Sequence, residues 1–238
     1  MAITTIITPH SLCAGLVGYW KLEEASILLN SFSSESMFIE GTVTTQYAAK
    51  SNLGVRFAST GTIQLPGTVY GGNYIYDKFT ISFWMKIDTL ASTLAHDSYI
   101  CYFISTEGSG SAPIVIYLES TNDKLTFSTY TMLGVNDYTY STAITDVVNF
   151  MNVIVSCAGV GQPLKIYING VDDTQRADTL TSYLRVCNSE VRIGNSDTGQ
   201  GGNFAGIIDE FCFWRRGLTA TEIVQLSSGN ANSFYPFI

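Results

Sequence analysis

The sequence has few charged residues, and this scarcity limits the partners that the protein can bind. Only 13% of its 238 residues are charged, about half of the usual share of roughly 25%. It has 12 Lys and Arg residues and 20 Asp and Glu residues, which gives a net charge of −8, and it has no basic run. Binding to a phosphate backbone requires clustered basic side chains. We therefore expect no nucleic acid partner.

A long apolar run and a secretion signal are also missing. No apolar stretch approaches the roughly 20 residues that a membrane-spanning helix needs. The first ten residues carry no basic segment ahead of their apolar positions, unlike a signal peptide. We therefore expect no membrane insertion, and synthesis in a cytoplasm without a signal peptide.

The five cysteines lack the spacing of metal or redox motifs. They are widely separated, odd in number and without a Cys-x-x-Cys pair: Cys13, Cys101, Cys157, Cys187 and Cys212. Such residues behave as small buried hydrophobes. This pattern predicts free thiols and folding in a reducing compartment.

Alternating apolar and polar residues run through most of the chain. Phe79, Ile81 and Phe83 alternate with polar neighbours, the period of two that predicts a strand with one face in the core. Similar strands are expected at 99–105, 114–119, 124–130, 151–157, 164–168, 191–194 and 207–214. Asn169-Gly170 favours a type I′ hairpin turn, since both residues accept positive φ. Many short strands without intervening helices predict an all-β sandwich.

One short helix is predicted near the end of the chain. Thr219 and Glu222 have the spacing of a capping box, and Leu218 and Ile223 can form a hydrophobic staple across it. Gly229 is expected to close the helix. We divide the chain into an N-terminal arm (1–14), one sandwich domain (15–229) and an apolar tail (230–238). The tail is expected to dock either on its own domain or on a neighbouring subunit.

Five ordered motifs carry a resemblance to a known family. They lie at 16–23, 79–86, 165–170, 193–195 and 204–223, and together they resemble the laminin-G-like, concanavalin-A-like lectin family. The resemblance implies a two-sheet antiparallel jelly-roll sandwich whose rim loops hold a sugar, and sometimes calcium, in many relatives. Residues 25–32 lack the acidic residue and the glycine that relatives often show there. The calcium motif is therefore incomplete, and we predict no cofactor and no metal ligand.

The acidic residues do not form a recognisable catalytic motif. Glycosidases need two carboxylates about 5 to 9 Å apart, whereas Glu23-Glu24 and Asp209-Glu210 are sequence neighbours, which point to opposite faces of a strand. Alternation places Asp209 on the face of Ile207, Phe211 and Phe213, as a locally hydrogen-bonded acid or a calcium ligand. We predict a non-catalytic protein, with a glycosidase as the alternative if folding brings two carboxylates together.

Three segments rich in polar and turn residues are candidate binding loops. Tyrosine stacks on sugar rings and equally suits protein partners, and amides or carboxylates hydrogen-bond to hydroxyl groups. The candidate ligand or partner residues in these loops are Tyr70, Tyr74, Tyr76, Asn136, Tyr138, Tyr140, Asn195 and Asp197.

Two functions fit these observations. The first is a surface or structural component of a virion, such as a bacteriophage head-decoration, fibre or tail protein, with other virion or surface proteins or further copies of itself as partners. It accounts together for the free thiols, the missing signal and the low charge. The second is a glycan-binding adhesion module of a larger secreted, extracellular protein that recognises cell-surface glycans.

Overall fold

The chain folds into two antiparallel β-sheets, as predicted. The computed structural model describes residues 11–23, 27–29, 36–58, 61–66, 77–105, 112–187, 189–196 and 202–228. Numbered along the chain, the strands are β1 (Leu16–Trp20), β2 (Ile27–Leu29), β3 (Ser36–Glu40), β4 (Val43–Ala48), β5 (Leu53–Phe57), β6 (Thr62–Pro66), β7 (Phe79–Ile87), β8 (Ser98–Phe103), β9 (Ile114–Leu118), β10 (Lys124–Tyr130), β11 (Asn136–Ala143), β12 (Met151–Cys157), β13 (Leu164–Ile168), β14 (Val171–Asp172), β15 (Arg176–Ala177), β16 (Glu190–Ile193) and β17 (Gly206–Trp214). The helices are α1 (Ala91–Leu94) and α2 (Ala220–Ser227), and a 3-10 turn spans Ser11–Cys13.

The two sheets enclose the main core. One has eight strands, in the order β14-β13-β12-β7-β17-β5-β4, with β1 also paired to β17. The other has nine, in the order β15-β11-β10-β9-β8-β16-β6-β3-β2. Alternate residues of facing strands fill the space between them, and Phe83 and Phe211 stack there with ring centres 6.2 Å apart. The predicted jelly-roll sandwich is thus confirmed.

Most strands that periodicity predicts are present. The predicted bounds of β10, β12 and β13 match the observed ones, and those of the other predicted strands differ by one or two residues. Asn169 and Gly170 have φ of 51° and 81°, as the hairpin turn requires. The segment 136–140 was expected to be a loop, and this expectation is wrong, because it forms most of β11. Its tyrosines alternate with Asp137 and Thr139, which point inward and are buried.

The outer face of the eight-stranded sheet is covered by a second apolar cluster. Leu12, Tyr19, Ile154, Trp214 and the α2 residues Ile223 and Leu226 are among its members. This layer explains why β7 is buried on both faces, whereas its alternation predicts one buried face.

Helix α2 begins with the predicted capping box. The Glu222 N–H donates to the Thr219 hydroxyl at 3.3 Å, and the Thr219 N–H donates to the Glu222 carboxylate at 2.9 Å. Gly229 and the tail 230–238 lie outside the described residues, as do residues 1–10 of the arm. The described end of the arm docks on its own domain, where the Trp214 indole N–H donates to the Leu12 carbonyl at 2.7 Å. Among the described residues, neither helix is long and apolar enough to cross a bilayer.

Candidate functional site

The outer face of the nine-stranded sheet carries a group of tyrosines. On β8 to β11, the alternate residues that include Ile116 and Phe127 point into the core, so their neighbours point outward. These outward positions are partly exposed. We call the following residues the tyrosine face: Tyr99, Tyr102, Tyr117, Tyr130, Tyr138 and Tyr140.

Strand register lines the rings up across the sheet. Tyr99 pairs with Tyr117, Tyr117 with Thr126, and Thr126 with Tyr140. Because neighbouring strands lie about 4.8 Å apart, this row of four residues spans roughly 14 Å. Tyr99, Tyr117 and Tyr140 are therefore in register across the strands. Thr126 is buried between Tyr117 and Tyr140, and its hydroxyl donates to Glu119 Oε1.

The β8–β9 end of the face is a packed group of rings. The rings of Tyr99 and Tyr117 have centres 5.5 Å apart with 32° between their planes, and Tyr102 meets Tyr99 edge-on at 5.9 Å. Burial raises the pKa of Tyr117 to about 12, and burial also raises the pKa of Tyr99. Both hydroxyls are consequently protonated at neutral pH and can donate a hydrogen bond.

Basic side chains lie over the rings at the other end of the face. Measured to the ring centres, Lys124 Nζ is 4.1 Å from Tyr140, Arg176 Cζ is 4.3 Å from Tyr138, and Arg185 Cζ is 4.7 Å from Tyr130. Cation–π contacts of this kind hold the rings and the basic groups in place.

A shallow cavity of about 190 Å³ is lined by Tyr99, Tyr102, Tyr117 and Tyr130, and does not include Tyr138 or Tyr140. Polar groups on its rim include Asp97, whose Oδ1 accepts the N–H and hydroxyl of Ser120 at 2.8 and 2.9 Å. Ser128 donates to the amide oxygen of Asn136 at 2.9 Å. The cavity therefore combines aromatic surface with hydrogen-bonding groups, as small polar ligands require.

The structure brings three of the sequence-predicted site residues onto this face: Asn136, Tyr138 and Tyr140. They stand on β11 and not in a loop. The tyrosine face also contains Tyr99, Tyr102, Tyr117 and Tyr130, which sequence reasoning missed. Tyr117 and Tyr130 occupy polar-phase positions of predicted strands, whereas Tyr99 and Tyr102 are three residues apart and share a face only because the register shifts between Tyr99 and Cys101.

The other five predicted site residues do not lie on the tyrosine face or are not described. Asn195 lies in the turn after β16, and its Oδ1 accepts the Ser196 N–H at 2.7 Å. The preceding Gly194 N–H donates to the Ile100 carbonyl at 2.9 Å, beside Tyr99. The remaining four, Tyr70, Tyr74, Tyr76 and Asp197, lie outside the described residues.

Two buried acids lie on the other sheet, beneath the loop between β4 and β5. Glu210 has φ of 54°, and the register of β17 shifts between Asp209 and Cys212. This bulge adds one residue, so Ile208, Phe211 and Phe213 face the core while Asp209 does not. The expected face for Asp209 is therefore wrong, as is the expectation that Asp209 and Glu210 point to opposite faces.

The two carboxyl groups meet around Ser51 and Tyr19. The Ser51 N–H donates to Asp209 Oδ2 at 2.8 Å, and the Tyr19 hydroxyl donates to Glu210 Oε2. Ser51 also hydrogen-bonds to the Glu210 side chain. Asp209 Oδ1 and Glu210 Oε1 are buried without a hydrogen-bond partner among the described residues.

Burial raises the pKa of both acids towards the neutral range. Burial first, and then the charge of Glu210, raises the pKa of Asp209 to about 8. Burial raises the pKa of Glu210 to about 7. The two residues are 0% and 2% exposed, so they form a closed pair that offers no open cleft to a substrate. No group of three or more His, Cys, Asp or Glu residues suited to a metal ion occurs in the described part of the chain.

The chain belongs to the concanavalin A-like lectin/glucanase superfamily, whose laminin-G model matches residues 57–224. No curated protein matches the chain.

Solved structures show the same fold. One is domain 4 of AbnA, an extracellular arabinanase from Geobacillus stearothermophilus in complex with arabinotriose, which is 16% identical, with a TM-score of 0.67 over 90% of this chain and 98% of that domain. Another is the receptor-binding domain of a botulinum neurotoxin C/D mosaic, 14% identical, with a TM-score of 0.69 over 91% of this chain and 52% of that one. A third comes from botulinum neurotoxin type C, whose cell entry depends on interaction with two ganglioside molecules. It is 18% identical, with a TM-score of 0.68 over 93% of this chain and 52% of that one. The chain thus spans about half the length of the toxin domains, and at these identities the likeness concerns the fold.

Proposed function

We propose that this protein is a non-catalytic carbohydrate-binding module that holds an oligosaccharide on the tyrosine face. The observation that carries the proposal is the register of Tyr99, Tyr117 and Tyr140 across neighbouring strands, where their partly exposed rings lie on one sheet face with a shallow cavity beside Tyr99 and Tyr117. Aromatic rings give sugars an apolar platform, and hydroxyls and amides orient them.

The structural relatives support this choice. The arabinanase domain is similar to this chain over nearly its whole length and is bound to arabinotriose. A neurotoxin with the same fold interacts with gangliosides. The arabinanase domain therefore pairs this sandwich with a sugar ligand, whereas the match to the neurotoxin covers only 52% of that chain.

A glycan array followed by calorimetry tests the proposal. Tyr117→Ala and Tyr138→Ala should each weaken binding of the best array ligand about tenfold, since an aromatic contact contributes roughly 1 to 1.5 kcal/mol. Tyr47→Ala is the matched control, because this exposed tyrosine lies on β4 in the other sheet. Arabinotriose belongs among the probes. A blank array, or equal affinity for all three variants, would refute the assignment.

The second candidate is a surface component of a virion or a similar particle. One observation favours it, namely an apolar tip at the β10–β11 hairpin, where Met132, Leu133, Val135 and Tyr183 are 50%, 72%, 38% and 50% exposed. Clustered exposed apolar side chains often mark protein contacts. All five cysteines are free, as synthesis in a reducing cytoplasm requires.

Native mass spectrometry separates the two candidates. A particle component should form oligomers, or bind a partner shell, and Leu133→Ser should weaken that association. A monomer that binds glycans and is unaffected by Leu133→Ser would leave only the first candidate.

A further inference from the structure

A second cavity, of about 320 Å³, lies on the outer face of the eight-stranded sheet, on the side of the sandwich opposite the tyrosine face. Strand register explains why the cavity is there. Thr80 pairs with Ser156, and Ser156 pairs with Lys165. The small side chains of Ser156 and Ala158 line its floor, and Lys78, Lys165 and Tyr167 stand around them.

A rigid segment forms the opposite wall. Arg216 donates two hydrogen bonds to the Glu222 carboxylate, at 2.7 and 2.8 Å, and further bonds to backbone carbonyls of the arm. This pairing holds the pKa of Glu222 at about 2. Gly217 packs against Ala158, where an added Cβ would approach the Ala158 Cα at 3.2 Å. The wall is therefore preorganised and closely packed on the floor.

The charges around this cavity are unusual for an acidic protein. Lys78, Lys165 and Arg216 line it, although the whole chain has only 12 basic residues and a net charge of −8.

The acids near the cavity are mostly ion-paired or hydrogen-bonded. Glu222 compensates Arg216, and Asp172 pairs with Lys165 at 2.9 Å while also accepting the Thr174 N–H. Lys78 makes no ion pair within the described residues, although the Asp77 carboxylate and the Lys78 stem both approach Gly159. The cavity consequently offers more donors than acceptors, since an ammonium group only donates.

We propose that this cavity binds an anionic substituent, a sulfate, phosphate or carboxylate, carried by a sugar-sized molecule. Lys78 supplies the uncompensated charge, Lys165 contributes an ammonium group that it shares with Asp172, and the Gln162 amide and the Tyr167 hydroxyl supply hydrogen bonds from the lining. The volume lies at the lower end of the range for small-ligand sites, about 300 to 1,000 Å³. Lysine suits this role because its ammonium is a compact point charge on a flexible stem. The site is independent of the tyrosine face, and glycan binding there can fail without affecting it.

NMR titration of the whole chain at constant ionic strength tests the proposal. The probes are inorganic sulfate, glucose 6-phosphate, glucuronate and, as the neutral reference, glucose. The charged probes should shift the amide resonances of Ala158, Gln162 and Gly217, and glucose should not. Comparing inorganic sulfate with the two charged sugars shows whether the sugar ring contributes to affinity.

Three variants sharpen the test. Lys78→Gln should weaken binding of the charged sugars about tenfold, as expected for loss of a charged hydrogen bond. Ala158→Leu keeps every charge but fills the floor at an exposed position, so it should also abolish binding with little change in melting temperature. Lys86→Gln, near the far end of β7 and eight residues from Lys78, is the matched control and should bind as wild type.

The proposal is overturned if glucose shifts the same amides as the charged sugars do. It is also overturned if Lys78→Gln and Lys86→Gln bind alike, or if the shifts map to the tyrosine face.

Discussion

Raising the pH from 5 to 8 should destabilise this sandwich, because the buried acids Asp209 and Glu210 lose their protons over that range. Both have a pKa that is higher in the folded chain, about 8 and about 7, than the ordinary values of 3.8 and 4.5. The folded state therefore binds more protons than the unfolded state between these values. Their stabilising contribution is complete below about pH 4 and is lost as the pH rises through the folded values.

The size of the effect follows from proton linkage. For each pH unit over which one carboxyl is protonated only in the folded state, the free energy of unfolding falls by about 1.4 kcal/mol. For Asp209 alone, the loss between pH 5 and 8 is up to about 4 kcal/mol. The two acids are coupled, so the titration belongs to the pair. Domains are typically stable by only about 5 to 15 kcal/mol, so the loss should be easy to measure.

Urea unfolding monitored by tryptophan fluorescence at several pH values measures this loss. Asp209→Asn should reduce the slope of the unfolding free energy against pH by about half, because an amide retains the neutral shape of the protonated acid. Compared with the wild type at the same pH, the variant should therefore be more stable at pH 8 than it is at pH 5.

Asp146→Asn is the control for the general effect of removing one negative charge. Asp146 is exposed, and hydrogen bonds from Asn149 and Val148 lower its pKa. The reasoning is refuted if wild-type stability rises from pH 5 to 8, or if Asp209→Asn keeps the wild-type slope.

Two further predictions concern the frame of the sandwich. Arg216→Met should lower the free energy of unfolding by about 1 to 3 kcal/mol, because the carboxylate of Glu222 loses its charged partner. Urea titration measures this change. The pKa of Glu222 in the folded chain is about 2, so its carboxylate stabilises the fold above pH 4.5 and this contribution is lost as the pH falls towards 2. If the variant is as stable as the wild type, the ion pair does not stabilise the fold. Gly194→Ala should lower the melting temperature well below that of Gly161→Ala, since both glycines have positive φ but only at Gly194 does an added Cβ overlap the Phe57 ring; equal melting temperatures would rule out the clash.

Local features of this fold could be predicted because they are encoded within a few residues. The alternation of β7, the Asn169-Gly170 turn and the Thr219–Glu222 capping box each depend on neighbours that are close in sequence. Strands β5 and β6 were missed although both alternate, because each is only five residues long and presents no more than three apolar residues in its period. The free state of the five cysteines followed from their number and spacing.

The candidate site depended on contacts between distant segments. The alternation of β9 shows that Tyr117 is on the polar phase, but only the register of four strands places it in a row with Tyr99 and Tyr140. Sequence reasoning treated 136–140 as a loop, because its Asn and Asp residues favour turns, whereas the pairing with β10 makes it a strand.

The sequence by itself determined the class of fold, since alternating apolar residues can be buried only by stacking two pleated layers. Only the tertiary structure decided which surface is more open, because helix α2 and residues 11–13 pack on one sheet, whereas the tyrosines of the other stay partly exposed among the described residues. It also decided the state of Asp209 and Glu210, since one extra residue at a bulge turns both carboxyl groups into the same closed space. Such long-range choices arise from the packing of segments far apart in the chain, and no local pattern records them.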